Sequence, residues 1–107
     1  MAIKINILIV DDHPFIIEGY KNAINGYNKK GNYEFIITQA KDCKTGYEAI
    51  TNEGIEPFDV AFFDLSMPVY EEKNIFSGED LASLIKSNMP DCKIILLTMH
   101  TELLKIN

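Results

Sequence analysis

The 107-residue chain has no tryptophan and no arginine, and only two cysteines and four prolines. Each shortage excludes something. All ten basic residues are lysines, scattered along the chain and set against 16 acids for a net charge of −6. Nothing forms the clustered basic stripe that neutralises nucleic-acid phosphates, so no direct nucleic-acid binding by this segment is expected. Cys43 and Cys92 fit no metal-ligand spacing and read as free thiols, the usual state in a reducing cytosol. A cytoplasmic location follows as an expectation. No apolar run approaches the roughly 20 residues that span a bilayer, and the first residues enter a strand pattern directly, without a signal peptide. No membrane association is expected. A Gly-rich loop after the first strand, which would argue for a nucleotide site, is also lacking.

What remains is an ordinary globular composition, 47 % apolar and 24 % charged, and one domain over residues 1–107 is expected. Ile3 to Val10 begins by alternating and then becomes continuously apolar, the pattern of a central parallel strand buried on both faces. It stops at Asp11-Asp12-His13-Pro14. Pro14 suits the first turn of a helix, and Phe15, Ile16, Gly19, Tyr20, Ala23, Ile24 and Tyr27 recur at helical steps. Asn25-Gly26 and Lys29-Lys30-Gly31-Asn32 are expected to break that helix into a polar loop. Tyr33 to Ala40 reads as a second strand. Asp42 can cap a helix from about Lys44 to Asn52, with Tyr47, Ala49 and Ile50 inward. Val60 to Phe63 is a short strand ending on Asp64, and Phe58, Phe62 and Phe63 are expected in the core. A polar stretch follows to Gly78. Ser77 or Gly78 opens a third helix with Leu81, Leu84 and Ile85 inward, and Lys93 to Leu97 is a fourth strand ending at Thr98. Thr101 to Asn107 reads as the start of a further helix. Strands alternating with helices imply a doubly wound α/β fold, a parallel sheet with helices on both faces.

In such sheets ligands bind beyond the carboxyl ends of the strands. Asp11, Asp12, Asp64 and Thr98 all fall there. Crowded carboxylates raise one another's pKa unless a cation neutralises them, and hard oxygen ligands suit Mg²⁺. A carboxylate beside Mg²⁺ can attack a phosphoryl group to form an acyl phosphate, with the Thr98 hydroxyl bonding a phosphoryl oxygen. Each residue also has a plainer reading. Asp11-Asp12 can be a helix cap, Asp64 a loop entry, Thr98 the cap of a last helix, and His13 a structural hydrogen-bonder.

Taken together, Ile7-Leu8-Ile9-Val10-Asp11-Asp12-His13-Pro14, Phe63-Asp64-Leu65-Ser66-Met67-Pro68 and Ile95-Leu96-Leu97-Thr98-Met99-His100 resemble three successive motifs of response-regulator receiver domains. Their wording is similar to the LuxR/NarL-type subfamily, whose receivers usually precede a helix-turn-helix DNA-binding domain. The resemblance implies a flavodoxin-like (CheY-like) fold. It makes Asp64 the phosphoacceptor for a sensor histidine kinase, in a Mg²⁺-dependent step of two-component signalling that is not turnover of an external substrate. Asp12 and Asp64 would hold Mg²⁺ directly with the backbone carbonyl of Ser66, and Asp11 through water. Thr98 would be the switch residue, while Ser66 and His100 match positions that tune phosphoryl lifetime.

Two departures stand out. The family has a Gly shortly after its Pro, whereas here the next is Gly78, ten residues past Pro68, so roughly six residues are inserted. The segment Val69 to Ser77 is expected to be a mobile flap or partner-specifying surface. The family's fifth strand, its phosphoryl-contacting Lys and its last helix have no counterpart before Asn107, and the chain is expected to be a fragment of a longer protein. Loss of that strand and helix would leave Ile94 to Leu97 as an open edge, uncover one face of the first strand, and favour a homodimer or strand-swapped oligomer. Two rival readings remain. One is a degenerate receiver acting as a phosphorylation-independent interaction module. The other, a haloacid-dehalogenase-type phosphatase, wants a second Asp where Ser66 stands.

Overall fold

The computed structural model describes residues 3–27, 31–52, 54–65 and 67–97. Ser66, Thr98, His100 and the helix expected from Thr101 to Asn107 lie outside the described residues.

β-Branched and aromatic runs form the four strands, β1 (Ile3–Val10), β2 (Tyr33–Ala40), β3 (Val60–Asp64) and β4 (Lys93–Leu97). Among the described residues they make one all-parallel sheet in the order β2-β1-β3-β4. That order matches the first four strands of the flavodoxin-like arrangement. The helices are α1 (Pro14–Tyr27), α2 (Cys43–Thr51) and α3 (Gly78–Asn88). None is long and apolar enough to cross a membrane.

Alternation along the strands feeds two cores. Leu8, Val10, Ala61 and Phe63 pack with α2 and α3 through Cys43, Ile50, Leu81 and Ile85. On the opposite face Ile7 and Ile9 are closed over by Ile17 of α1, with Tyr20 and Ile24 alongside. Phe58 and Phe63 are buried and Phe62 is partly so. The expected uncovering of one face of β1 is confined to its N-terminal part. Ile5, Phe35, Val60 and Ile95 line an open apolar groove of about 600 Å³ beside α1. The outer edge of β4 has no neighbouring strand among the described residues, and its Ile95 and Leu96 are 42 % and 45 % exposed.

Three local expectations need correction. Asn25-Gly26 does not end α1, which runs on through Tyr27. Helical continuity there offsets the roughly 1 kcal/mol that a glycine costs. Phe15 and Tyr27 match the helical period but are 91 % and 86 % exposed, because the inward stripe runs through Ile17, Tyr20 and Ile24. The insertion is a folded turn. Glu71–Lys73 form one 3₁₀ turn, Asn74 takes a left-handed conformation at φ 58°, and Tyr70 pairs with Ile75 across it. Ile75 is buried in the α2–α3 core, Tyr70 meets Tyr47 edge-on at 5.6 Å, and Lys73 lies over the Tyr47 ring.

The start of α2 is set by a reciprocal cap. Asp42 Oδ1 accepts from Thr45 N at 2.8 Å, while Thr45 Oγ1 accepts from the backbone N–H of Asp42 at 3.2 Å. Partial burial would push the Asp42 carboxyl up, but the side-chain and backbone bonds from Thr45 outweigh it, and the pKa lies below its ordinary value. A lowered carboxyl stabilises the fold above its unfolded pKa and loses that contribution as pH falls through the folded one. Asp42→Ala should therefore cost about 1 kcal/mol in urea unfolding at neutral pH. The difference from wild type should shrink on acidification below the ordinary aspartate range.

Candidate functional site

The site follows from strand register. Val10 lies opposite both Ala40 and Phe63, and Asp64 lies opposite Leu97. The residues that follow β1 and close β3 are thus neighbours at the carboxyl edge, at the point where the chain switches direction across the sheet. Asp11 continues the β1–β2 ladder by donating its N–H to Ala40 O at 2.9 Å. Its side chain is fully buried, and Asp64 is 4 % exposed. Asp12 turns outward and is partly exposed.

His13 completes the cluster. Its N–H donates to Asp11 Oδ1 at 2.9 Å, an aspartate turn that folds the chain back over the strand end. Its Nδ1 then lies 2.7 Å from Asp11 Oδ1, 3.0 Å from Asp12 Oδ1 and 3.6 Å from Asp64 Oδ2. One ligand atom from each of these four residues falls within 4.8 Å of the others. The hydrogen bond to Asp11 and the charge of Asp12 raise the His13 pKa above its ordinary value, against the opposing effect of desolvation. Asp11 Oδ2 is buried and has no hydrogen-bond partner among the described residues. A buried, partnerless carboxylate oxygen is costly unless a cation or donor reaches it. The donor set, mostly oxygen and mostly carboxylate, is the kind that holds Mg²⁺, so the residues present fit that ion.

The receiver-domain family model, described as "Response regulator receiver domain", matches residues 7–106. The chain belongs to this family. Receiver domains are signalling modules that work with sensor histidine kinases and bind Mg²⁺ at an acidic pocket. The receiver is 31 % identical over 98 residues to response regulator UvrY of Escherichia coli K12, which covers 92 % of this chain and 39 % of that protein. It is 27 % identical over 97 residues to transcriptional regulatory protein MctR of Rhizobium johnstonii, covering 91 % and 39 % respectively. The chain thus spans about two fifths of the length of the curated relatives it matches.

Of the residues expected at the receiver's site, Asp11, Asp12 and Asp64 are brought together. Ser66, Thr98 and His100 lie outside the described residues, although the backbone leading to them is joined by a Leu65 N–H to Leu97 O bond of 3.2 Å. Two contributors were not expected. One is His13, whose only sequence signal is its place immediately after two acids. The other is Gly78. A Cβ at Gly78 would sit 2.2 Å from the backbone oxygen of Asp64 and 3.1 Å from Phe63 Cβ, so only glycine lets α3 start against the end of β3. The insertion displaces this glycine in sequence but leaves it against Asp64.

Gly78→Ala should force α3 and Asp64 apart and cost about 1–3 kcal/mol, read as a lowered midpoint in urea unfolding. A histidine whose pKa is raised by folding stabilises the fold below its ordinary pKa and loses that contribution as pH rises through the raised value. In metal-free protein the His13 imidazole resonances should accordingly titrate above 6.5, the ordinary value. Asp11→Asn should move that titration down, and an unchanged midpoint would contradict the role given to Asp11.

Proposed function

We propose that this receiver accepts a phosphoryl group on Asp64 from a sensor histidine kinase in a Mg²⁺-dependent reaction. Phosphorylation then switches an output, transcription control through a DNA-binding domain outside the chain. The observation that carries this reading is the convergence of Asp11, Asp12 and Asp64 at one edge of the sheet, with Asp11 Oδ2 buried and without a hydrogen-bond partner among the described residues. Three carboxylates brought so close in one polar notch suit a site built for a cation and an incoming phosphate, and the plainer cap and loop-entry readings give no reason for the convergence. The names of the relatives, a response regulator and a transcriptional regulatory protein, support the class of output.

In this reading Asp11, Asp12 and Asp64 hold Mg²⁺, together with the backbone carbonyl of Ser66. The ion supplies positive charge that offsets the repulsion between the carboxylates and the phosphoryl oxygens. An Asp64 carboxylate oxygen forms a bond to phosphorus while the phosphorus–nitrogen bond to the donor imidazole breaks, and that electron pair stays on the donor nitrogen. The product is an acyl phosphate on Asp64. Burial of Asp64 beside Phe63 limits water's access to it. Thr98 serves as the switch residue that contacts the phosphoryl group, and Ser66 and His100 tune its lifetime.

Incubating the full chain with Mg²⁺ and acetyl phosphate should add one phosphoryl group by intact-mass analysis. Asp64→Asn should add none, and omission of Mg²⁺ should abolish the reaction. Equal labelling of wild type and Asp64→Asn would refute Asp64 as the acceptor.

A further inference from the structure

We infer that His13 is itself a metal ligand, coordinating through Nδ1, and that it favours borderline first-row cations such as Co²⁺ and Zn²⁺ over Mg²⁺. This rests on the reading of Asp11, Asp12 and Asp64 as the cation site and adds a fourth protein donor to it.

The argument begins with the crowding of oxygens around one nitrogen. Nδ1 has a single hydrogen or a single lone pair, so it serves one partner well. Here three carboxylate oxygens stand 2.7, 3.0 and 3.6 Å from it. One hydrogen bond from Nδ1 accounts for the first contact only, and Asp12 Oδ1 at 3.0 Å is left without one from this nitrogen. A shared cation accounts for all three. Donors each about 2.1 Å from one ion lie about 3.0 Å apart at adjacent octahedral corners and about 3.4 Å apart at tetrahedral ones. The three separations scatter around those edges.

A second, independent observation points the same way. Asp11 Oδ2 is fully buried and has no hydrogen-bond partner among the described residues, although Oδ1 of the same carboxylate accepts from both the backbone and the ring of His13. The cluster therefore keeps an unused anionic donor next to the imidazole. The ring is also fixed from both sides of its backbone. The His13 N–H is held by Asp11, and its carbonyl accepts from Ile16 N at 3.0 Å and Ile17 N at 3.2 Å as α1 begins. With its side chain 54 % exposed, the ring sits over the mouth of the notch and the buried carboxylates of Asp11 and Asp64 lie beneath.

Selectivity then follows from ligand chemistry. Mg²⁺ prefers oxygen and keeps several of its waters, so a water can stand in for the imidazole at little cost. Imidazole nitrogen suits Zn²⁺ and other later first-row ions, and these lose a preferred donor when it is removed. Even an all-oxygen site binds Co²⁺ more tightly than Mg²⁺. The decisive quantity is therefore the change in each affinity on removing His13.

Calorimetric titrations of the full chain with MgCl₂ and, separately, CoCl₂ at about pH 8, above the ordinary histidine range, test this in wild type, His13→Gln and Asp64→Asn. His13→Gln should weaken Co²⁺ by about tenfold or more, since even partners outside a metal's coordination shell are worth that much. It should leave Mg²⁺ nearly unchanged and shift the visible absorption of bound Co²⁺ as nitrogen is replaced by oxygen. His13→Asn should behave alike, and amide NMR spectra confirm that both variants are folded. Equal weakening of both ions, or tighter binding of both, would make His13 a resident counter-charge and overturn the inference while leaving the carboxylate site standing. Failure of wild type to bind either ion, or binding untouched by Asp64→Asn, would instead overturn the site itself and this inference with it.

Discussion

Asp11 and Asp64 follow β1 and close β3 at matched positions of a parallel register, Val10 facing Phe63. Their carboxylates are neighbours whether or not charge favours it. Backbone pairing and the burial of Leu8, Val10, Ala61 and Phe63 impose that proximity, and each such side chain contributes roughly 1.5–3 kcal/mol. The repulsion between the two acids is smaller than the sum of those terms, so the fold holds and the repulsion persists as an unmet demand for positive charge. His13 answers part of it. Its ring sits among Asp11, Asp12 and Asp64, and its raised pKa is the same interaction seen from the histidine's side.

The loop leaving Asp64 is held by the packing behind it. Met67 is buried in the core, and Pro68 O accepts from Cys43 N at 3.1 Å, which ties the loop to the start of α2. Gly78 then closes it by resting on the Asp64 carbonyl. These anchors flank the inserted residues, so the added length folds over Tyr47 of α2, which Tyr70 meets edge-on and Lys73 overlies, without prising α3 from the sheet. Elsewhere the sheet is less evenly covered. Among the described residues one face carries two helices and the other carries α1, and the groove by Ile5 and Ile95 is open.

The strands were legible because β-branched runs flanked by acids, Pro and Gly allow few other readings. Their ends place the three aspartates at one edge. Helix interiors were less legible. The 3.6-residue period admits Phe15 and Tyr27 to the apolar stripe as readily as Ile17 and Ile24, and only the direction of packing on β1 and β3 separates them. The start of α3 at Ser77 or Gly78 was legible, but not how it is capped. Ser77 occupies the cap position without making a side-chain bond, while Asp80 reaches back to accept from Phe76 N at 2.8 Å. Two residues with the same short polar chemistry compete there, and geometry decides. The roles of His13 and Gly78 at the site were not legible, for a common reason. Their roles depend on what the chain folds against, the Asp11 carboxylate in one case and the Asp64 carbonyl in the other, and neither contact leaves a spacing rule in the sequence.

The Tyr70–Ile75 pairing changes how long the β3–α3 connection is in practice. Closing a flexible loop costs entropy that grows with the logarithm of its length. The bridge, with Tyr70 N donating to Ile75 O at 2.7 Å and Ile75 N to Tyr70 O at 3.1 Å, shuts off residues 71–74 as a small ring of its own. For chain statistics, the path from Asp64 to Gly78 then runs into Tyr70, steps across to Ile75 and continues, as though the four residues between were a side branch. The left-handed Asn74 lets that ring close in so few residues. Length inserted inside the ring is insulated from Asp64, whereas length inserted between Leu65 and Tyr70 would act directly on the span that positions it.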